Sequence, residues 1–245
     1  MSSSSVPIIV LAHGSRHPRA DGAISLIADA TSALSGGDVY AAHLDFSPVT
    51  LTNVVQLLAA KGHREAVVVP LLFTKAFHAR HDVPEALQEA HEATGVHLHL
   101  ADGLGSGEDM AQVVARANRT VARGAERLVL YSVGSSMPEA NRAVADLTRR
   151  VGEILQLPDA VAVHATGKGE GTGPQAALDA AGENGVIVPL FVAPGTLWDA
   201  VVEHVSLYGG PRLGGPLVTA LAPLVLKRAG GADFRGECFG EETGL

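Results

Sequence analysis

Short apolar runs alternate with longer amphipathic stretches along this chain. The runs at 7–12, 39–44, 67–73 and 96–100 have the length and composition of buried strands. Between them, apolar residues recur at helical spacing, as at 51–58. Near-continuous apolar strands that are separated by crossover helices favour a parallel sheet covered by helices on both faces. The pattern therefore predicts an α/β fold.

The second half of the chain repeats this order, with predicted strands at 127–133, 160–164 and 186–192. The stretch VVVPLLFTKAFH matches VIVPLFVAPGTL, and LAHGSRHPRA matches YSVGSSMPEA. These matches predict two lobes related by internal duplication. Pro70 and Pro189 fall at matching positions inside predicted strands. Because proline is disfavoured in a central strand, we expect each of them to mark a strand end.

The matched loops differ in their histidines. His13 aligns with Val133, and His78 aligns with Leu197, while the neighbouring glycine, proline and apolar positions are kept. A duplication that keeps the scaffold positions and restricts imidazoles to one copy indicates a pair of lobes with one working site. We expect that site in the N-terminal half.

Composition limits the possible compartments and partners. A chain of 245 residues can form one large domain or two of about 120 residues. The formal charge of −8 argues against a broad nucleic-acid or membrane surface, and no apolar run approaches the roughly 18 residues of a membrane span. The first residues lack the basic region of a signal peptide. Cys238 is the single cysteine, so no intrachain disulfide can form, and we expect a cytoplasmic protein.

Candidate ligands follow three predicted strands. His13 comes directly after the first strand, His43 and Asp45 end the second, and His78 lies in the loop beyond the third. The carboxyl ends of parallel strands face one crevice, so we expect His13, Asp45 and His78 to converge. Two imidazoles and a carboxylate suit a divalent first-row metal, and a neutral imidazole also accepts a proton. For six further histidines a surface or capping role is expected: His17, His63, His91, His97, His99 and His204.

The segments LAHGSRHPRA, AAHLDFSP and VVVPLLFTKAFHARHDVP together resemble the CbiX and SirB type of sirohydrochlorin chelatase. Members of that family carry an HGS(R) motif after the first strand and a loop of the form H-x-x-x-D-[IV]-P. The stretch from His78 to Pro84 matches that loop. The resemblance covers residues 6–226, including the degenerate second half of the long members. It implies two flavodoxin-like lobes, each a parallel sheet with helices on both faces.

The resemblance also implies the roles of the candidate residues. His13 and His78 correspond to the metal-binding and catalytic histidines. Asp45 falls where relatives often carry a glutamate near the metal, and the shorter acid is a departure from the family pattern. His17 is a second departure. Inserting a metal into a tetrapyrrole requires loss of the metal's waters and of two pyrrole protons. The two imidazoles can hold the metal while one of them, or Asp45, accepts a proton.

The implied activity is ATP-independent insertion of a divalent metal into sirohydrochlorin. We favour Fe²⁺, which gives sirohaem. Insertion of Co²⁺ for cobalamin biosynthesis is the alternative, and a non-catalytic carrier of a tetrapyrrole or metal is a second alternative. We expect no organic cofactor, because the chain has neither a P-loop nor a G-x-G-x-x-G after a strand. The absence of a G-x-S-x-G elbow disfavours an α/β hydrolase.

Contacts with the tetrapyrrole are expected from three kinds of residue. Its carboxylates need cations and backbone N–H groups, and its ring faces need apolar side chains. The predicted substrate-binding residues are Gly14, Ser15, Arg16, Lys75, Arg80, Val133 and Leu197.

The expected domain organisation follows the duplication. We predict an N-terminal lobe at 6–123 that carries the metal site and a degenerate C-terminal lobe at 124–229. Disordered ends are expected at 1–5 and 230–245, and a loop is expected at 166–174. We expect a monomer, with a homodimer as the alternative.

Overall fold

The computed structural model describes residues 6–74, 82–167 and 171–232. Their packing divides the chain into two compact units. The first comprises Met1–Gly105 and Leu221–Leu245, and the second comprises Ser106–Ala220.

A parallel sheet forms the centre of the first unit. Within the described part of this unit, four strands lie in the order β2-β1-β3-β4. Their bounds are β1 Ile8–Ala12, β2 Val39–His43, β3 Glu65–Pro70 and β4 His97–Leu100. All three pairings are parallel, with Ile9 of β1 opposite Tyr40 of β2 and Val68 of β3. β1 therefore lies between two neighbours that follow it in the chain, which is the topology that opens a crevice at the carboxyl edge.

Helices cover both faces of this sheet. Helices α2 (Leu51–Ala60) and α3 (Asp82–Thr94) pack together over Ile9, Leu11, Val68 and Leu98. Because side chains alternate along a strand, Val10 points to the opposite face, where α1 (Ala20–Ser35) packs. Local signals set the helix ends. The side chain of Thr50 caps α2 at the amide of Asn53, and Gly36 ends α1 in the left-handed conformation.

The second unit repeats the arrangement. In the part of Ser106–Ala220 that the structure describes, four parallel strands lie in the order β6-β5-β7-β8. The strands are β5 Leu128–Ser132, β6 Ala160–His164, β7 Val186–Pro189 and β8 Arg212–Leu213, and the helices are α4 Glu108–Ala122, α5 Pro138–Leu155, α6 Gly173–Ala181 and α7 Thr196–Tyr208. A 3₁₀ turn at Val218–Leu221 precedes the last helix, α8 Ala222–Gly230.

The packing units differ from the lobes that the duplication predicts. Helix α4 belongs to the predicted N-terminal lobe but packs against α5 in the second unit. Helix α8 belongs to the predicted C-terminal lobe but packs against α1 and β3 in the first. Arg228 fixes α8 there, since its guanidinium donates to the carbonyls of Gly103 at 2.8 Å and Leu104 at 2.7 Å.

Both prolines end their strands, as predicted. β3 stops at Pro70 and β7 stops at Pro189. The chain leaves each strand with one more cross-strand bond: Leu71 donates to Leu11, and Leu190 donates to Tyr131. Neither bond needs an amide hydrogen on the proline, so the residue type is compatible with a central strand at its last position.

The predicted loop at 166–174 is shorter than expected, because α6 begins at Gly173. The two-residue strand β8 was not predicted. In the described residues, no helix is both long and apolar enough to cross a membrane. Disorder was predicted at 1–5 and 230–245. Gly230 instead ends helix α8, and the segments 1–5 and 233–245 lie outside the described residues.

Candidate functional site

His13 and Asp45 lie on adjacent chain segments just beyond the sheet. The last paired residues of β1 and β2 are Ala12 and His43. The pairing continues as the amide of Leu44 donates to Ala12 at 3.0 Å and the amide of Asp45 donates to His13 at 2.9 Å. The structure thus brings together two of the three predicted ligands at the carboxyl edge of the sheet, where ligands bind in open α/β folds.

Gly14 makes this close approach possible. Its φ of +101° lies in a region that side chains rarely adopt, and a Cβ atom at this position would collide with the carbonyl oxygen of Asp45. Gly134 of the second unit has a φ of +90° and approaches the carbonyl of Thr166 in the same way. A glycine is therefore required in both units for backbone packing, whether or not it also touches a ligand.

Ser15 organises the turn between β1 and α1. Its hydroxyl accepts a 3.1 Å hydrogen bond from the amide of His17, whose ring Nδ1 accepts in turn from the amide of Arg19. Ser135 does the same in the second unit, accepting from the amide of Met137. His17 is 9% exposed, so the capping role expected for it agrees with its position. The turn gives Ser15 a structural role beside the predicted contact with substrate.

Phe46 is a residue of the site that the sequence reasoning missed. It has a φ of 60°, and its side chain is 45% exposed. Its ring packs edge-on against the His13 imidazole, with centroids 6.3 Å apart, and the Arg16 guanidinium carbon lies 4.7 Å from its centroid. Its amide donates to Oδ1 of Asp45 at 2.7 Å. The only sequence signal was an aromatic residue next to a candidate ligand at a strand end.

His43 does not project from the sheet with Asp45. Its side chain is 2% exposed, and its Nδ1–H donates to the carbonyl of Val49 at 3.3 Å. Its Nε2 lies 3.5 Å from Oδ1 of Asp21 on α1. His43 therefore lies behind the loop that follows β2, within the fold.

The second unit also has a histidine at the end of its second strand. His164 ends β6 as His43 ends β2, although the chain between the first and second strands is one residue longer in the second half. The interpretation that imidazoles are confined to one copy is therefore wrong for this pair. The His164 Nδ1 lies 2.8 Å from the Ser132 hydroxyl, and burial lowers the pKa of His164 below its ordinary value.

The positions that match His13 and His78 carry apolar residues in the second unit. Val133 is 46% exposed, and its carbonyl accepts from the amide of Thr166 at 2.9 Å, as His13 accepts from Asp45. Leu197 is half-buried in the first turn of α7. In the core of the same unit, Tyr131 packs against Phe191 and Trp198. Burial raises the pKa of the Tyr131 hydroxyl.

Other histidines have ordinary structural contacts. The His99 Nε2–H donates to Glu65 at 2.9 Å, and His91 donates to the carbonyl of Val96 at 2.9 Å. His204 contacts Tyr208 on α7. His99 lies on β4 and His91 near the end of α3, and neither is on the loop that carries Asp45; His204 lies on α7 of the second unit.

Comparison with known proteins places the chain in a family. The CbiX family model matches residues 7–121. A sirohydrochlorin cobaltochelatase of Sulfurisphaera tokodaii is 30% identical over 84 residues, which are 34% of this chain and 68% of that enzyme. The chain belongs to the CbiX family. A sirohydrochlorin ferrochelatase of Bacillus subtilis is 25% identical over 158 residues, which are 63% of this chain. The chain spans 60% of the length of that Bacillus relative in the alignment.

Solved structures with the CbiX fold match nearly the whole chain. SirB from Bacillus subtilis with Fe³⁺ has a TM-score of 0.72 at 21% identity, over 91% of this chain and 93% of SirB. The structure of CbiX, described as the terminal enzyme for biosynthesis of sirohaem in denitrifying bacteria, has a TM-score of 0.62 at 16% identity, over 91% of this chain and 98% of that one. The predicted two-lobed α/β chelatase fold and the predicted family are both confirmed.

Three predicted site residues fall in a segment that the structure does not describe. His78, Lys75 and Arg80 lie outside the described residues. Among the residues that the structure does describe, no three His, Cys, Asp or Glu side chains are grouped so as to hold a metal ion. The pairing of His13 with His78 stays a prediction.

Proposed function

We propose that the protein is a sirohydrochlorin chelatase that inserts a divalent metal into the tetrapyrrole without ATP. The observation that carries the proposal is the juxtaposition of His13 and Asp45 at the carboxyl edge of the sheet, in the half of the chain that matches the CbiX family model. Relatives named as ferrochelatase and cobaltochelatase perform this class of reaction.

In this proposal the N-terminal lobe, residues 6–123, carries the metal site. His13 and His78 hold the metal substrate through neutral imidazoles, which release it as the four pyrrole nitrogens take over coordination. His13, His78 or Asp45 accepts the pyrrole protons. The Asp45 carboxylate is exposed on the loop after β2, where it can reach a ligand. The metal is a substrate here, and no organic cofactor takes part.

Substrate contacts come from the residues around His13. Arg16 is exposed and lies over the Phe46 ring, so a carboxylate of the macrocycle can pair with its guanidinium. The exposed Phe46 offers an apolar surface to the ring system. Gly14 and Ser15 present backbone N–H groups beside Arg16. Lys75 and Arg80 add positive charge, and Val133 and Leu197 of the degenerate C-terminal lobe, residues 124–229, pack against the macrocycle.

Fe²⁺ is the metal we favour, giving sirohaem, and Co²⁺ is the alternative. The ferrochelatase of Bacillus subtilis aligns with 63% of this chain, whereas the cobaltochelatase of Sulfurisphaera tokodaii aligns with 34%. Side-chain chemistry does not separate the two ions, because imidazole and carboxylate bind both. We propose a cytoplasmic protein, monomeric or homodimeric, that binds sirohydrochlorin and neither nucleic acid nor membrane.

The test is turnover under catalytic conditions. Purified protein is mixed with an excess of sirohydrochlorin and with Fe²⁺ or Co²⁺ under anaerobic conditions, and the tetrapyrrole absorption is followed. An enzyme converts many equivalents at a rate proportional to its concentration. A carrier, the second candidate, would change at most one equivalent per chain. Conversion no faster than in a protein-free control would refute the chelatase assignment.

A further inference from the structure

A side chain on α1 reaches the loop that carries Asp45. Asp21 lies in the first turn of α1, and its Oδ2 accepts a 2.7 Å hydrogen bond from the hydroxyl of Ser47. Its Oδ1 lies 3.5 Å from Nε2 of the buried His43. One carboxylate therefore contacts both the strand end and the loop beyond it.

The loop between β2 and α2 closes on itself through the same residues. The Ser47 hydroxyl accepts from the amide of Val49 at 3.2 Å. The carbonyl of Val49 accepts from the backbone amide of His43 at 3.0 Å and from its ring at 3.3 Å. Asp21, His43 and Ser47 thus form one network, which we call the loop clamp, around the segment that presents Asp45 and Phe46.

That segment needs support, because Phe46 has a left-handed backbone. A φ of 60° is unfavourable for a large side chain and persists only where the surroundings enforce it. The two chain ends that flank Asp45 and Phe46 are held by His43 on one side and Ser47 on the other. The clamp therefore fixes the direction of the Asp45 carboxylate and of the Phe46 ring.

The second unit shows what the fold does without this arrangement. The matching position on α5 carries Asn141, which bonds to its own Ser135 through two hydrogen bonds, at 2.9 Å to the amide and 2.8 Å to the carbonyl. The His164 ring lies 2.8 Å from the Ser132 hydroxyl, whereas the His43 ring faces the carbonyl of Val49 and Oδ1 of Asp21. The loop clamp is thus not a requirement of the α/β fold. The second unit, which has Val133 in place of His13, uses the residue that matches Asp21 for a different set of hydrogen bonds.

We propose that Asp21, with His43 and Ser47, is a positioning residue for metal handling at the loop after β2. The proposal rests on the proposed function, since it gives Asp45 and Phe46 their orientation toward the metal and the macrocycle. Partners that orient a metal-binding group typically change metal affinity or activity by about 10- to 100-fold when they are removed. Asp21 does not itself touch metal or substrate.

The test uses Asp21→Ala, Ser47→Ala and the double variant, with Asp29→Ala as the matched control. Asp29 lies on the same helix and is exposed. Two quantities are measured on the full chain: the Kd for Co²⁺ by absorption titration without tetrapyrrole, and kcat and KM for metal insertion. We expect Asp21→Ala and Ser47→Ala each to raise the Co²⁺ Kd by about tenfold or more and to lower kcat. Asp29→Ala should match the wild type.

The double variant tests whether the two residues act together. If Asp21 and Ser47 belong to one network, the double variant should lose little more than the worse single variant. Multiplicative losses would mean that the residues act separately and would overturn the clamp. So would an unchanged Co²⁺ Kd in Ser47→Ala, a variant that removes one hydroxyl from an otherwise intact fold. A wild type that binds Co²⁺ but converts no sirohydrochlorin would refute the proposed function alone, because the Co²⁺ titrations would still compare the variants.

Discussion

Gly14 lies so close to the carbonyl of Asp45 that no side chain fits between them. We therefore expect Gly14→Ala to destabilise the first unit by at least about 2 kcal/mol, through the positive φ and the collision together. Separating the loops after β1 and β2 should also lower metal insertion beyond the loss of folded protein. Denaturant unfolding gives the first quantity, and kcat of the folded fraction gives the second.

Gly134→Ala is the internal control for this prediction. The same collision occurs there, with the carbonyl of Thr166 at 2.6 Å and the Cβ of His164 at 2.9 Å from the added carbon. Its stability cost should be similar, but kcat per folded molecule should fall less, because that loop carries Val133 in place of His13. Equal losses of kcat in both variants would contradict a metal site confined to the first unit.

His13→Ala and His78→Ala are each expected to abolish metal insertion nearly completely. If both imidazoles hold the metal, loss of either removes one of its protein ligands. The protein must hold the metal before the pyrrole nitrogens can coordinate it, so the tetrapyrrole cannot substitute for the lost imidazole. Tm should change little in His13→Ala, since the side chain follows the strand and lies outside the hydrophobic core. Spectral turnover assays measure the rate, and Val133→Ala serves as the control that should keep the metal dependence of the rate. Near-normal turnover in either histidine variant would remove that residue from the site.

Asp45→Asn tests the carboxylate without changing its size. The side-chain oxygen can still accept from the amide of Phe46, so the loop should keep its shape. A metal or proton role predicts a fall in kcat of about 10- to 100-fold with the tetrapyrrole Kd nearly unchanged. Fluorescence quenching by the metal-free tetrapyrrole measures that Kd. Unchanged kinetics would leave Asp45 with the loop-capping role alone.

Phe46 allows backbone strain to be separated from substrate contact. Phe46→Gly removes the side chain and relieves the left-handed conformation, whereas Phe46→Ala removes the side chain and keeps the strain. We expect the glycine variant to be about 1 kcal/mol more stable than the alanine variant. Both should raise KM for the tetrapyrrole, because the apolar surface beside Arg16 is lost. A normal KM in both variants would show that the ring only supports His13.

The sequence pattern predicted strands, prolines and duplicated loops well because these features depend on local chemistry. Apolar runs and helical spacing indicated the positions of β1 to β7, and residue chemistry at strand ends predicted that His13 and Asp45 lie close together. The two-residue β8 has no periodicity to detect. Packing of α4 and α8 in units other than their own halves is a long-range property that no local pattern records.

The errors at the site have the same origin. His43 and Asp45 are two residues apart on one strand end, and sequence alone did not show that His43 is buried and contacts Asp21 on α1. The correspondence between His43 and His164 was missed because the chain between the first and second strands is one residue longer in the second half. That extra residue shifts the alignment of the two halves by one position. Phe46 carries a backbone conformation that aromatic residues rarely adopt, so no propensity argument could predict its exposure.

His164 predicts a pH dependence for the second unit. Burial lowers its pKa in the folded state, so the unfolded chain binds the proton more readily. The contribution of His164 to the free energy of unfolding should therefore be fully present above about pH 6.5, the ordinary pKa of histidine in an unfolded chain. It should be lost as the pH drops through and below that value. Trp198, the single tryptophan, lies in the core of this unit and reports its unfolding by fluorescence.

His164→Asn should reduce the loss of stability between about pH 7.5 and about pH 5.5, because no group at this position then takes up a proton on unfolding. Ser132→Ala is the matched comparison. It removes the hydroxyl 2.8 Å from the ring but leaves the histidine partly buried, so the pH dependence should persist. If Ser132→Ala abolished the pH dependence while His164→Asn kept it, burial of His164 would not be the cause, and another titrating group in the unit would have to be sought.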